Sequence, residues 1–286
     1  MDTKTTDLLK DDYGFDEYNP DLYKFDNVAT GIGSLDDLTD DHIDYYHDNG
    51  FLAVQNVFTN EEVQLGIQAI YDTIESQHPE VKILYERSIS NVNTLTSEQR
   101  HASVRKLHNQ LATGDPRLLR FAEHPKLLEA ITKLIGTEIE RYSDQALIKP
   151  PGIGREKPWH QDNAFFDVPL GTPIVGCWIA LDNAVPENGC MHIKPGTHNE
   201  GPVIHFKRRD FQICDTDVDL TRDVMVPLKP GGILFFDGLL HHGTPANNSS
   251  LRRRAMQIHH VPKGTPRTSD EERMAIFGEE GKDATC

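Results

Sequence analysis

Apolar residues recur at helical spacing through the first half of the chain. The Thr-Asn-Glu-Glu sequence at 59–62 is a capping box, in which the Thr and the last Glu satisfy each other's free amides. Four apolar residues after it share one helical face: Val63, Ile67, Ile70 and Ile74. Similar signals predict a helix that starts at a Thr39-Asp40 cap and ends at Gly50, and helices over 97–112, 116–122 and 125–135.

Short β-type segments separated by Pro and Gly follow residue 138. Strands are predicted over 51–56, 139–148, 174–182, 190–194, 224–228, 232–236 and 252–261. Short strands with regular Pro and Gly between them favour a sandwich or a jelly-roll barrel. We expect the helices to cover one face of a sheet, which makes the fold α+β with a mainly β core.

Charge is distributed unevenly over the 286 residues. The net charge is −16, and residues 1–50 alone hold 14 acidic and 3 basic side chains. We therefore predict an acidic N-terminal arm (1–35), one domain (36–265) and a polar C-terminal tail (266–286). The arm is open to a role in protein interaction, because dense like charge is typical of interaction tails. Nucleic acid is not an expected partner, because phosphate contacts need clustered Lys and Arg.

Neither a membrane span nor a secretory signal is predicted. The longest apolar run, 174–181, is far shorter than the ~20 residues that a bilayer requires. The N-terminus lacks a basic segment followed by an apolar one. The four cysteines at 177, 190, 214 and 286 include no CxxC, so we expect reduced thiols and a cytoplasmic protein, with Cys177 and Cys190 in the core.

Candidate chemistry begins at His160 and Asp162. In an extended segment, residues two apart point to the same side, so this imidazole and carboxylate are presented together. A His-His-Gly sequence follows at 241–243, and Arg253 comes eleven residues after His242. Two imidazoles and one carboxylate on one face of a metal leave three open positions, as in non-haem Fe(II) oxygenases. A 2-oxoacid uses two positions and O₂ the third, and a fixed guanidinium can pair with the distal carboxylate of that acid.

The motifs resemble those of the phytanoyl-CoA dioxygenase family of Fe(II)/2-oxoglutarate oxygenases. Matching stretches occur in family order from about residue 40 to 262, at 147–151, 160–162, 178–182, 187–190, 195–198 and 242–244, together with Arg253. The resemblance implies a double-stranded β-helix, a jelly-roll or cupin-like barrel, flanked by N-terminal helices. It also implies Fe(II), 2-oxoglutarate and O₂ as cofactor and co-substrates.

Individual site residues follow from the same resemblance. It implies His160, Asp162 and His242 as catalytic iron ligands, and Arg253 as the anchor of the 2-oxoglutarate carboxylate. Further co-substrate contacts are implied at Thr244, Trp178, Gln145 and Lys106. The implied reaction is hydroxylation of a small organic molecule, with decarboxylation of 2-oxoglutarate to succinate and CO₂.

Several alternatives stay open at this point. His241 and His242 would face opposite ways in a strand, so only one can reach a metal, and the following glycine favours His242. Residues 207–209 (Lys-Arg-Arg) are either a solvated loop or a receptor for an anionic substrate group. Two His and one carboxylate also suit Zn²⁺, so a non-oxidative cupin-like binding barrel is the alternative function. Neither the substrate nor the oligomeric state has a sequence signal.

Overall fold

The protein folds into two facing β-sheets, with helices on the outside of the larger sheet. The computed structural model describes residues 17–76, 78, 80–109 and 111–286. The helices are α1 (Asp40–Asn49), α2 (Asn60–Ser76), α3 (Ser97–Ser103), α4 (Leu111–Gly114), α5 (Pro116–Ala122), α6 (Pro125–Ile135) and α7 (Asp270–Phe277). The strands are β1 (Gly31–Ile32), β2 (Phe51–Val54), β3 (Lys82–Tyr85), β4 (Val104–His108), β5 (Ile139–Lys149), β6 (Lys157–His160), β7 (Val175–Ala180), β8 (Met191–Ile193), β9 (His205–Lys207), β10 (Phe211–Ile213), β11 (Val224–Val226), β12 (Ile233–Asp237), β13 (His242–Thr244) and β14 (Arg253–Pro262).

The chain passes from one sheet to the other several times. The larger sheet runs β1-β2-β12-β7-β14-β5-β4-β3 and the smaller one β11-β8-β13-β6, while β9 and β10 form a separate hairpin. Every pair except the short β1–β2 edge is antiparallel. The predicted double-stranded β-helix with flanking helices is therefore confirmed.

The larger sheet has a different core on each face. Its outer face packs against the helices, and Ile179 and Ile258 from β7 and β14 meet Ile70 of α2 in one buried cluster. Its inner face packs Trp178 and Ala255 against Ile193 of the smaller sheet. Side chains alternate along each strand, so neighbouring residues serve the two cores in turn.

The local sequence signals explain most helix ends. In the predicted capping box, Thr59 N donates to Glu62 Oε2 at 2.8 Å and Glu62 N donates to Thr59 Oγ1 at 3.3 Å. The four apolar residues predicted on one face of α2 are all buried. Gly50 and Gly136 end α1 and α6 with φ of 80° and 81°, where glycine carries no Cβ penalty.

The helix predicted over 97–112 is wrong in its second half. It ends at Ser103, and residues 104–108 form β4, which pairs with β3 and β5. Val104 and Leu107 of this strand are buried in the helix-side core, while Lys106 lies opposite Leu147 of β5. Pairing with the edge of a long strand decides the conformation here against the local helical pattern.

Residues 18–28 of the predicted N-terminal arm lie against the smaller sheet, and residues 31–32 form β1 at the edge of the larger sheet. Leu22 O accepts from Trp159 Nε1 at 2.9 Å, and the buried Tyr23 ring stacks on Trp159 with 5.4 Å between centroids. Phe25 contacts the ring of His192 edge-on. Residues 1–16 lie outside the described residues, and the division into arm, domain and tail stays a prediction.

The expectation of four reduced thiols is wrong for two of them. Cys214 and Cys286 form a disulfide that ties the segment after β10 to the C-terminus, because α7 and the tail fold back onto the β9–β10 hairpin. Cys177 and Cys190 are free and buried, as predicted. Among the described helices none has the length and apolar character to cross a membrane. The cytoplasmic location stays a prediction.

Candidate metal centre and co-substrate pocket

The three predicted metal ligands lie together where β6 ends and β13 begins. His160 ends β6, His242 begins β13 directly opposite it, and Asp162 opens the short 3₁₀ turn after β6. His160 Nε2 and His242 Nε2 lie 3.4 and 3.6 Å from Asp162 Oδ1. All three are buried, and their ligand atoms lie within 4.8 Å of one another. His241 takes no part in this cluster, and its backbone N donates to Thr197 Oγ1.

Backbone carbonyls fix the tautomer of both imidazoles. His160 Nδ1 donates to Pro158 O at 2.7 Å and His242 Nδ1 donates to Leu240 O at 2.9 Å. Since a carbonyl only accepts, each Nδ1 carries the hydrogen and each Nε2 presents a lone pair to the centre. Burial, and next the neighbouring His242, lower the pKa of His160 to about 4. His160 is thus prepared as a neutral metal ligand, and the Nε2 atoms of both rings face the same centre.

The carboxylate of Asp162 is kept ionised at the same centre. Burial alone would raise the pKa of Asp162, but the imidazoles of His242 and His259 beside it outweigh that effect and lower it well below its usual value. A carboxylate and two neutral imidazoles are the ligand set of facial-triad iron sites. The donor chemistry therefore fits ferrous iron.

Unsatisfied buried donors lie beside this centre. No described residue accepts from Arg253 Nε or Nη1, from Trp178 Nε1 or from Thr244 Oγ1, although all four atoms are buried. Arg253 is only 2% exposed, and burial lowers the pKa of its guanidinium to about 10. A buried, unpaired guanidinium is costly unless an anion compensates it. This donor set fits the carboxylate of an organic acid.

Strand register explains why these side chains share one face. Gln257 of β14 lies directly opposite Gln145 of β5 on one side and Trp178 of β7 on the other. Arg253 lies four residues before Gln257 and so points the same way, with its guanidinium 5.3 Å from the Trp178 ring centroid. Lys106 joins from β4.

A single cavity of about 520 Å³ connects the predicted residues. All eight of them line it: Lys106, Gln145, His160, Asp162, Trp178, His242, Thr244 and Arg253. Phe165 and Phe166, which follow the metal-ligand motif, line it as well. The volume is typical of small-molecule sites, which range from roughly 300 to 1,000 Å³.

The three basic residues at 207–209 have different contacts. Lys207 lines the cavity. Arg209 instead pairs with Glu156 at 2.9 Å and with Asp215 at 2.7 Å, which fastens the β9–β10 hairpin to the barrel. Arg208 donates to the carbonyl oxygen of Cys286 at 3.0 Å. A structural role therefore describes two of the three residues.

Sequence reasoning missed two parts of the site. Gln257 and His259 both contact Asp162 Oδ2, and they could have been identified from strand alternation, because they lie four and six residues after Arg253. The sequence predicts a polar C-terminal tail of loop or short helix with no part in the site, yet Arg273 and Met274 of α7 line the cavity. The disulfide and the hairpin contacts that bring α7 there have no short-range sequence signal.

Comparison with known proteins extends these observations. The sequence profile of the phytanoyl-CoA dioxygenase (PhyH) family matches residues 46–255. Phytanoyl-CoA dioxygenase domain-containing protein 1 of Danio rerio is 26% identical over 264 residues, which cover 79% of this chain and 90% of that protein.

Solved structures share the fold at lower identity. EvdO2 from Micromonospora carbonacea var. aurantiaca, complexed with 2-oxoglutarate, has a TM-score of 0.64 and 23% identity, covering 85% of this chain and 95% of that one. The non-haem α-ketoglutarate-dependent carbocyclase SnoK from nogalamycin biosynthesis also has a TM-score of 0.64, with 21% identity and coverage of 84% and 90%. With its barrel, its His-Asp-His cluster and a family match over most of its length, this chain belongs to the phytanoyl-CoA dioxygenase family of iron- and 2-oxoglutarate-dependent oxygenases.

Proposed function

We propose that this protein hydroxylates a small organic molecule, using O₂ and converting 2-oxoglutarate to succinate and CO₂. The observation that carries the proposal is the buried His160–Asp162–His242 cluster in one cavity with Arg253, whose Nε and Nη1 have no acceptor among the described residues. Iron with bound 2-oxoglutarate supplies the oxidising chemistry, in which one oxygen atom of O₂ enters the substrate C–H bond and the other enters succinate. The protein supplies placement, charge compensation and a dry site.

Iron binding is assigned to the Nε2 atoms of His160 and His242 and to a carboxylate oxygen of Asp162. The carbonyl acceptors on Nδ1 orient both rings before a metal arrives. Pre-orientation of this kind lowers the entropy cost of binding. Because one carboxylate neutralises only half of the charge of a divalent ion, the site favours an anionic co-substrate as the next ligand.

Binding of 2-oxoglutarate is assigned to Arg253, Thr244 and Trp178, with Gln145 and Lys106 on the adjoining wall. Arg253 and Thr244 present buried donor atoms for which the described part of the chain offers no acceptor. A carboxylate can accept from both groups at once, and a planar guanidinium can hold it through two parallel hydrogen bonds. The alternative of a non-oxidative metal barrel gives no reason for this buried cation.

The substrate region is assigned to the outer cavity, between the β9–β10 hairpin and the C-terminal tail. Phe165, Phe211 and Met274 give this part an apolar surface. Lys157 adds charge, with its ammonium 2.8 Å from Asp210 and 4.3 Å from the Phe165 ring centroid. This mixed lining suits a small molecule with an apolar body and a polar group.

The test is succinate release screened across a small-molecule library, with Arg253→Ala and Asp162→Ala as controls. We expect substrate-dependent succinate from the wild type and none from Asp162→Ala. Product formed under ¹⁸O₂ should gain one labelled oxygen atom in its mass spectrum. A product without added oxygen would retain the co-substrate assignment but refute hydroxylation, and turnover by Asp162→Ala at the wild-type rate would refute the metal site.

A further inference from the structure

Two buried donors from one strand hold the outer oxygen of Asp162. Gln257 Nε2 lies 3.0 Å and His259 Nε2 2.7 Å from Asp162 Oδ2. The other oxygen, Oδ1, is the one that faces the imidazole nitrogens of His160 and His242. We propose that Gln257 and His259 are positioning residues that limit Asp162 to one metal-ligating oxygen, an inference that rests on the proposed iron site.

The hydrogen-bond directions follow from the partners. A carboxylate only accepts, so His259 carries a hydrogen on Nε2, while its Nδ1 forms a hydrogen bond with the Ser143 hydroxyl at 2.9 Å. The Nε2 atoms of Gln257 and His259 are 3.0 Å apart because both donate to the same oxygen. Turning the Gln257 amide over would place its oxygen against Asp162 Oδ2, which gives two acceptors and no hydrogen. The orientation of the Gln257 amide is therefore determined.

Burial gives this arrangement its strength. His259 is 0% exposed and Gln257 4% exposed, and the Phe166 ring packs edge-on against His259 with 4.6 Å between centroids. Hydrogen bonds to a charged acceptor are the stronger kind, and a buried donor without its acceptor carries a desolvation penalty. Asp162 Oδ2 cannot turn toward a metal without losing both bonds.

Ligation through a single oxygen of Asp162 determines how many coordination positions stay open on the metal. Two imidazoles and one carboxylate oxygen leave three positions, two for the 2-oxoacid and one for O₂. A carboxylate that binds through both oxygens would occupy one of them. Holding Asp162 Oδ2 from behind thus protects the co-substrate position without touching the co-substrate.

The experiment titrates the protein with Co(II) alone and records the visible d–d spectrum, which reports coordination and requires no turnover. We expect His259→Phe and Gln257→Leu each to weaken Co(II) binding about 10–100-fold and to change the spectrum. His259→Gln should recover part of the affinity, and Ser143→Ala should lose only a few-fold. These last two variants keep the core volume close to that of the wild type.

His260→Phe is the matched control. His260 is the next residue on β14, is 1% exposed, and has no described partner for either ring nitrogen. The same substitution there should leave Co(II) affinity within about two-fold of wild type.

Wild-type affinity and spectrum in folded His259→Phe and Gln257→Leu would overturn the positioning role, as would equal losses in His260→Phe. A separate titration with Fe(II) and 2-oxoglutarate tests the proposed function through its charge-transfer band. Absence of that band in wild-type protein that binds Co(II) would refute the proposed function. The effect of His259→Phe on Co(II) would still support or overturn the positioning role.

Discussion

Replacing Arg253 should separate co-substrate binding from protein stability. In the free protein, two guanidinium nitrogens of Arg253, Nε and Nη1, are buried and no described residue accepts from them. An uncompensated buried charge opposes folding, so Arg253→Leu should leave the free energy of unfolding unchanged or slightly raised. Truncation of a paired buried charge would have the opposite effect and typically costs 3–5 kcal/mol.

The expected loss of 2-oxoglutarate affinity follows from a paired contact, in which a carboxylate accepts two parallel hydrogen bonds from one edge of the guanidinium. A hydrogen bond to a charged partner contributes at least about 1.5 kcal/mol, so two of them give about 3 kcal/mol. At about 1.4 kcal/mol per tenfold change, Arg253→Leu should weaken 2-oxoglutarate binding about 150-fold. Arg253→Lys keeps the charge but not the paired donors, and about half of the loss, roughly ten-fold, is expected.

The assay is anaerobic titration of the Fe(II) protein with 2-oxoglutarate, followed through the visible charge-transfer band, with urea unfolding in parallel. Arg254→Leu is the control, because Arg254 lies on the same strand but donates to Asp182 at 2.8 and 2.7 Å. This variant should lose about 1–3 kcal/mol of unfolding free energy and keep its 2-oxoglutarate affinity. Wild-type affinity in Arg253→Leu, or a stability loss in it larger than in Arg254→Leu, would refute the reasoning.

The other predictions concern residues outside the metal cluster. Burial lowers the pKa of Lys194 to about 8, whereas the pKa of a lysine in the unfolded chain is 10.5. Between these two pH values the unfolded state binds more protons than the folded state, so the free energy of unfolding should rise with pH by roughly 1–3 kcal/mol. Urea titrations of Lys194→Met should show no such rise. Cys286→Ser opens the bond to Cys214, 72 residues away in sequence, and should lower unfolding free energy by at most about 4 kcal/mol, with no further loss when a dithiol reductant is added. Tyr23→Ala removes a ring that is 2% exposed and should cost about 3 kcal/mol in urea unfolding; an unchanged midpoint would show that the N-terminal segment does not stabilise the barrel.

Local chemistry made much of this fold predictable. The Thr59 capping box and the glycines at 50 and 136 act within one helical turn, and the structure has all three helix ends where the sequence indicates them. The segment 104–108 was not predictable in that way. Its conformation depends on hydrogen bonds to β5, about 40 residues later in the sequence, which no local pattern encodes.

In the candidate site, too, some features follow from the local sequence and others depend on long-range strand pairing. His160 and Asp162 are two residues apart, and strand alternation alone presents them together. Their convergence with His242 depends on the pairing of β6 with β13, so the motif order of the family resemblance was needed to predict it. The Cys214–Cys286 disulfide belongs to the unpredictable part, because its two cysteines are 72 residues apart in the sequence and no local pattern pairs them.

One strand links the two halves of the proposed site. Arg253, Gln257 and His259 share the inner face of β14, where Arg253 and Gln257 line the cavity and His259 lies behind Asp162, while Met256 and Ile258 are buried in the helix-side core. A shift of one residue in register would exchange the two sets, burying the guanidinium among aliphatic side chains and exposing apolar ones to the cavity. The helix-side core therefore does more than stabilise the sheet. This core fixes the register of β14 against β5 and β7, and the register determines the positions of both Arg253 and the two donors behind Asp162.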